Sequence, residues 1–145
     1  MKVRNENYES VVRRIFGRAP FIELLGIELE TVSAGEAITT VRIDDRHRQQ
    51  DGYIHAGVQA TMADHTGGAA AATLFAEGQY PLSAEFKINF LRVAGGDVLR
   101  CHSRVLKAGK TLSVVESEVY AETGSERRLV SKATITIAIL ETPGI

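Results

Sequence analysis

The sequence predicts an α+β fold in which one long helix lies in a curved antiparallel sheet. Three observations carry that prediction. Between Gln49 and Phe75 a polar loop runs into an alanine- and glycine-rich stretch with helical periodicity. Strand-like runs stand on both sides of it, joined mostly by turns of hairpin length, which implies antiparallel neighbours. A single small-faced helix can bury itself only against such a sheet.

Taken in order, Asn7 to Phe16 reads as an amphipathic helix, with Val11, Val12, Ile15 and Phe16 on one side and Arg13 and Arg14 on the other. Gly17 and Pro20 stop it, and Phe21 to Leu25 adds a further helical turn. Ile27–Val32 and Glu36–Ile43 alternate like two strands around the turn Ser33-Ala34-Gly35. Asp44 to Tyr53 is a polar loop, in which His47 reads as a solvated side chain. After the helix, Glu77-Gly78 breaks the chain, and Pro81–Val93, Val98–Leu106, Leu112–Ala121 and Leu129–Leu140 read as a meander of strands. In the first of these, Leu82, Ala84, Phe86, Ile88 and Phe90 face one way and Ser83, Glu85, Lys87 and Asn89 the other. The tail Glu141–Ile145 is expected to be loose. No boundary divides the chain, so residues 1–145 are expected to form one domain with its N-terminal helix within residues 1–20.

Composition narrows the function. The chain has 145 residues, 44% hydrophobic and 24% charged, an ordinary globular balance. A net charge of −1 gives no electrostatic case for nucleic acid. The start carries no apolar leader and no run reaches membrane-spanning length. Cys101 is alone, which fits a reducing cytoplasm, and it reads as a small buried hydrophobe.

The helix carries the chemistry. Val58, Met62, His65, Ala69 and Ala72 fall on one face. Gly57, Ala60, Asp64, Gly67, Gly68 and Ala71 fall on a second, roughly 120° away, which is nearly bare apart from one carboxylate. Adjacent glycines each cost a helix about 0.8–1 kcal/mol relative to alanine. Close packing or a substrate lying across the backbone would offset that. Asp is a poor former in mid-helix, so Asp64 is either a hydrogen-bonded core acid or a functional group in a cleft. His65 reads as a packed core histidine, and His55 either caps the helix start or touches a substrate. His55, Asp64, His65 and His102 match no metal-ligand spacing, so no metal site is expected.

The block G-Y-I-H-A-G-V-x-A-x-x-A-D, Gly52 to Asp64, resembles the hotdog-fold acyl-CoA thioesterases of the PaaI-like group. Their usual pattern is an Asn, then G-x-x-H-G-G, then an acid eight residues after the first glycine of the H-G-G. The likeness extends to F-I-E-L-L-G-I-E-L at Phe21–Leu29, to S-A-E-F-K-I-N-F-L from Ser83, and to the final strand. It implies a hotdog fold and hydrolysis of an acyl-CoA to a free acid and coenzyme A, with no cofactor beyond the coenzyme in the substrate. His55 matches the motif histidine, Gly57 the second glycine and Asp64 the catalytic acid. Ser83 matches a serine that assists the acid in some relatives. Ala56 replaces the first glycine, whose backbone N–H is the part used, and Gln49 stands where many relatives have Asn, with Gln50 as an alternative amide.

The chemistry agrees with these roles. A helix N-terminus offers N–H donors and a positive dipole end to a carbonyl gaining negative charge. Asp64 lies two turns from that terminus, and the resemblance implies a site at a dimer interface, shared between the helix start of one chain and Asp64 of the other, in a homodimer or homotetramer. Asp64 then activates water as a base or attacks as a nucleophile. Lys107, Lys110, Arg127 and Arg128 at the turns are either solvated charges or contacts for the phosphates of coenzyme A. A non-catalytic acyl-CoA-binding module and an enoyl-CoA hydratase on the same fold are the other readings.

Overall fold

The structure is a computed structural model that describes residues 1–141. Two short helices, α1 (Tyr8–Phe16) and α2 (Pro20–Leu25), lead into the hairpin β1 (Ile27–Ser33) and β2 (Glu36–Arg42). A single 3-10 turn, Asp45–His47, sits in the loop before the long helix α3 (Ala56–Ala72). Four strands follow: β3 (Tyr80–Phe90), β4 (Val98–Ala108), β5 (Leu112–Thr123) and β6 (Glu126–Leu140). Residues 142–145, in the segment expected to be loose, lie outside the described residues. Among those described, no helix is long and apolar enough to cross a membrane.

All six strands join one antiparallel sheet in the order β1-β2-β4-β5-β6-β3. The expected meander holds only from β4 to β6. Despite the short Ala94-Gly95-Gly96 link, β3 does not pair with β4, which lies beside β2 instead. β3 runs along the far side of β6 and forms one edge. Its exit crosses the mouth of the curved sheet, where the Ile54 N–H donates to the Ala94 carbonyl at 3.0 Å. That crossing sets the residues after β3 beside the start of α3.

The concave side of the sheet holds α3. Met62, Ala63, Thr66, Gly67 and Ala70 are buried between helix and sheet. They meet Val115, Val119, Ile135 and Ile137, each 0% exposed. The expected bare face is therefore split. Gly67 turns to the sheet, where an added Cβ would lie 3.3 Å from Ile135 Cδ1 and 3.4 Å from Ser117 Oγ. Gly68 turns outward, and its Cβ would meet nothing closer than Pro81 at 4.0 Å.

A row of hydroxyls threads this interface. Thr39 Oγ1 and Thr66 Oγ1 share a hydrogen bond of 2.7 Å. Ser117 donates to the Ala63 carbonyl at 2.8 Å, so its 2.6 Å bond to Ser103 takes the Ser103 proton. Cys101 sits beside them, fully buried as expected, and burial pushes its thiol up to about 11. At the far end of the helix, the Gly35 N–H of the β1–β2 turn donates to Thr73 Oγ1 at 2.7 Å. Gly35 has φ +81°, a value that glycine adopts without strain.

The two glycines should respond oppositely to substitution. Gly68→Ala adds helix propensity worth about 0.8–1 kcal/mol without a clash, which raises Tm by about 2–4 °C. Gly67→Val overpacks the helix–sheet contact, at about 1–3 kcal/mol. Thermal unfolding of both variants tests this, and similar shifts for the two would contradict the assigned faces.

Candidate active site

Asp64 occupies the side of α3 that the sheet leaves open. Cavities meet there. One, of about 360 Å3, lies between α1, α3 and the start of β3, and its lining includes Ile15, Phe16, Asp64, His65, Gly68 and Ser83. A second, of about 320 Å3, shares Asp64 and His65 and runs past Ala60 and Phe86 toward α2. The walls are largely apolar and the carboxylate stands between them.

Ser83 Oγ donates to Asp64 Oδ1 at 2.5 Å. A β-bulge makes this contact. In the β3–β6 register Ser83 faces Ile137 and Glu85 faces Thr136, so Ala84 is the extra residue. Opposed residues in an antiparallel pair share a face, which puts Ser83 with Ile137, Phe86 with Ile135 and Ile88 with Ala133 on the helix side. The alternation expected from the sequence, with Ser83 opposite in sense to Phe86, therefore fails at Ala84. The extra residue aims the serine at Asp64.

His65 is half-buried, lining the cavity and packed edge-on against Phe16 with ring centroids 4.6 Å apart. It is a cleft residue more than a member of the Val58–Met62 stripe. Burial holds its pKa below the usual 6.5, with the adjacent Asp64 carboxylate pulling the other way.

At the start of α3, His55 is the cap. Its Nδ1 accepts the Gly57 N–H at 2.8 Å, and its carbonyl accepts the Val58 N–H at 3.1 Å. The neutral ring then carries its proton on Nε2. Gly57 is needed here, because a Cβ would fall 2.9 Å from His55 Nδ1. Of the two donors expected at this terminus, Gly57 is thus spent on the cap. Ala56, which is exposed, has no partner for its N–H among the described residues.

The loop before the helix is held by His47, which is 0% exposed and not solvated as the sequence suggested. Its Nδ1 accepts the Asp44 N–H at 3.0 Å and its Nε2–H donates to the Leu25 carbonyl at 2.7 Å. Its own carbonyl accepts the His55 N–H at 2.8 Å, so His47 ties α2, through its ring, to the helix start, through its backbone. Gln49 turns into the same loop, its Oε1 accepting the N–H groups of Asp51 and Tyr53. Gln50 donates to Asp51 at 3.1 Å.

The expected site residues fall in separate places. Asp64 and Ser83 meet. Ala56, Gly57 and His55 cluster eight residues earlier, about 12 Å back along the helix axis. Lys107 and Lys110 flank the β4–β5 turn, at the sheet end where β3 begins, whereas Arg127 pairs with Glu122 at the other end, roughly 30 Å away along β5. Arg127 stacks on Tyr120, with Cζ 4.0 Å from the ring centroid, and lies 3.7 Å from Glu122. One protomer therefore does not bring these cations together. Sequence reasoning missed Gln59, a buried amide in the first turns of α3.

The family model of the thioesterase superfamily matches residues 51–127. A 1,4-dihydroxy-2-naphthoyl-CoA hydrolase from Listeria monocytogenes is 27% identical over 116 residues, 79% of this chain and 93% of that protein. A thioesterase family protein from Silicibacter pomeroyi has a similar crystal structure, with a TM-score of 0.90 and 34% identity, covering 92% of this chain and 98% of its own. A conserved protein from Pseudomonas aeruginosa matches with a TM-score of 0.79 at 30% identity, over 88% and 98% of the two chains. The architecture is the hotdog fold that the motif implied.

The His65 environment makes a pH prediction. The folded state binds a proton there less readily than the unfolded state does, so the neutral ring's contribution is complete above pH 6.5 and is lost as pH falls toward the depressed folded value. Melting temperature should fall between about pH 7 and pH 5.5, and His65→Gln should flatten that fall. Parallel curves for the two proteins would refute it.

Proposed function

The chain belongs to the thioesterase superfamily, and on that premise we propose that it hydrolyses an acyl-CoA to a carboxylic acid and free coenzyme A. The observation that carries the proposal is the Asp64–Ser83 pair at the junction of two apolar cavities. Ser83 fixes one carboxylate oxygen. The second is left to take a proton from water as that water's oxygen bonds to the thioester carbon. The carbonyl re-forms as the C–S bond breaks, and the leaving thiolate of coenzyme A takes up the proton held by Asp64. Negative charge on the carbonyl oxygen is met by the Ala56 N–H at the positive end of α3. No cofactor is required beyond the coenzyme in the substrate. The relative from Listeria, named as a hydrolase of a coenzyme A thioester, supports that substrate class.

Ala56 and Asp64 of one helix stand too far apart to meet at one carbonyl. We therefore propose a homodimer, whose site joins the helix start of one chain to Asp64 of the other. β3 supplies the edge for it. The strand is bonded only to β6 among the described residues, and Leu82, Phe86 and Phe90 along it are 58%, 43% and 49% exposed. Antiparallel pairing of two β3 edges runs the two α3 helices in opposite directions. We assign Lys107 and Lys110, at the β4–β5 turn and the same sheet end as Leu82, to the phosphates of coenzyme A. The buried thiol of Cys101 suits a cytoplasmic setting.

Two variants test the reading. Asp64→Asn should bind acyl-CoA, keep its melting temperature and lose about 10²–10⁴ in turnover. Ala56→Pro removes the N–H at a position that tolerates proline and should lose about 10²–10³. Co-expressed, the two inactive chains should recover activity, because each heterodimer holds one intact site. Isolated heterodimers without activity would show that the two groups do not work across chains.

A further inference from the structure

A cavity of about 460 Å3 lies against the first turns of α3, walled by Tyr53, Ala56, Gln59 and the residues Phe90–Ala94 that leave β3. Gln59 is 3% exposed, yet its side-chain oxygen has no hydrogen-bond partner among the described residues. Buried side-chain amides are otherwise almost always paired. Gln49, on the same cavity, shows the ordinary case, because its oxygen caps its own loop. Among the described residues Gln59 Oε1 bonds to no loop and no strand. Met or Leu would fill its helix position without the cost of burying an unpaired amide.

Gln59 is the fourth residue of α3, and helix side chains lean toward the N-terminus, so its amide leans toward Ala56. The exposed Ala56 lines the same cavity. Around them Tyr53, Phe90, Leu91 and Val93 are apolar and about half exposed or more. An unpaired amide set in such walls beside a carbonyl-binding terminus is a hydrogen-bonding point for a ligand.

We infer that Gln59 is a substrate-binding residue, whose amide hydrogen-bonds an amide or hydroxyl group flanking the thioester when the carbonyl lies at the Ala56 N–H. The inference rests on the thioester-hydrolase reading. The flanking group has two chemical sources. One is the amide of the pantetheine arm, two methylenes from the sulfur. The other is a hydroxyl on the acyl group.

The test compares wild type with Gln59→Met, a change that keeps length and removes both polar atoms. The probes are benzoyl and hydroxybenzoyl thioesters of coenzyme A, of N-acetylcysteamine, which keeps the first amide, and of propanethiol, which has none. The readout is the ratio of kcat/KM between probes that carry the group and probes that lack it, with melting temperature alongside. The expected result is a ratio lowered by about tenfold to a hundredfold, the worth of one buried hydrogen bond, with a melting temperature that does not drop. A change that follows the N-acetylcysteamine moiety identifies the pantetheine amide, and one that follows the ring hydroxyl identifies the acyl group. Ratios equal to wild type, with or without a uniform loss, overturn the inference while leaving the hydrolase reading intact. A wild-type protein that cleaves none of the probes overturns both.

Discussion

The rotation of α3 about its own axis is the constraint on which the rest depends. Gly67 brings the helix close to β5 and β6, and the Thr39–Thr66 and Ser117–Ala63 hydrogen bonds fix it there. A hydroxyl buried without a partner is costly, so turning the helix would break paired groups as well as apolar packing. With Met62, Ala63, Thr66 and Gly67 committed to the sheet, 100° per residue leaves Asp64 and Gly68 on the open side. The carboxylate reaches the cleft because its neighbours are locked into the core.

The edge strand supplies the second half of that arrangement. β3 would be a regular strand but for Ala84, and a regular strand could not present Ser83 and Phe86 on the same face. The bulge also loosens the ladder where the cavity opens. Bulges concentrate at sheet edges and beside active sites, where they re-aim a side chain. In this chain the re-aimed side chain is the hydrogen-bond donor to Asp64. The apolar residues that β3 leaves exposed run along the same strand, which has no second neighbouring strand among the described residues.

The sequence makes the helix, the succession of strands and the acid legible, because each is local: periodicity, turn residues and one carboxylate in an alanine-rich run. Four features were not legible, because they depend on partners distant in sequence. His47 lies between arginines, which reads as solvent, yet its ring is claimed by Leu25, twenty-two residues earlier. The placement of β3 beside β6 is hidden by its short link to β4, since a link that crosses the mouth of a curved sheet looks like a hairpin turn. The Ala84 bulge leaves no local mark, because alanine neither needs nor forbids the extra position. Gln59 escaped notice for a related reason: a polar residue at the start of a helix reads as solvated until burial is known.

The helix start leaves few of its donors free. A helix begins with four N–H groups that lack intrahelical partners. His55 takes two of them, Gly57 through its ring and Val58 through its carbonyl, and its own N–H goes to the His47 carbonyl. The ring can fold over the terminus only because residue 57 has no side chain, which explains why that glycine is present while the position before it can be alanine. Ala56 contributes its N–H alone, and a methyl group there leaves that donor exposed. Capping thus removes competing donors and leaves one N–H, at the positive end of a 17-residue helix, on a residue that lines the same cavity as Gln59.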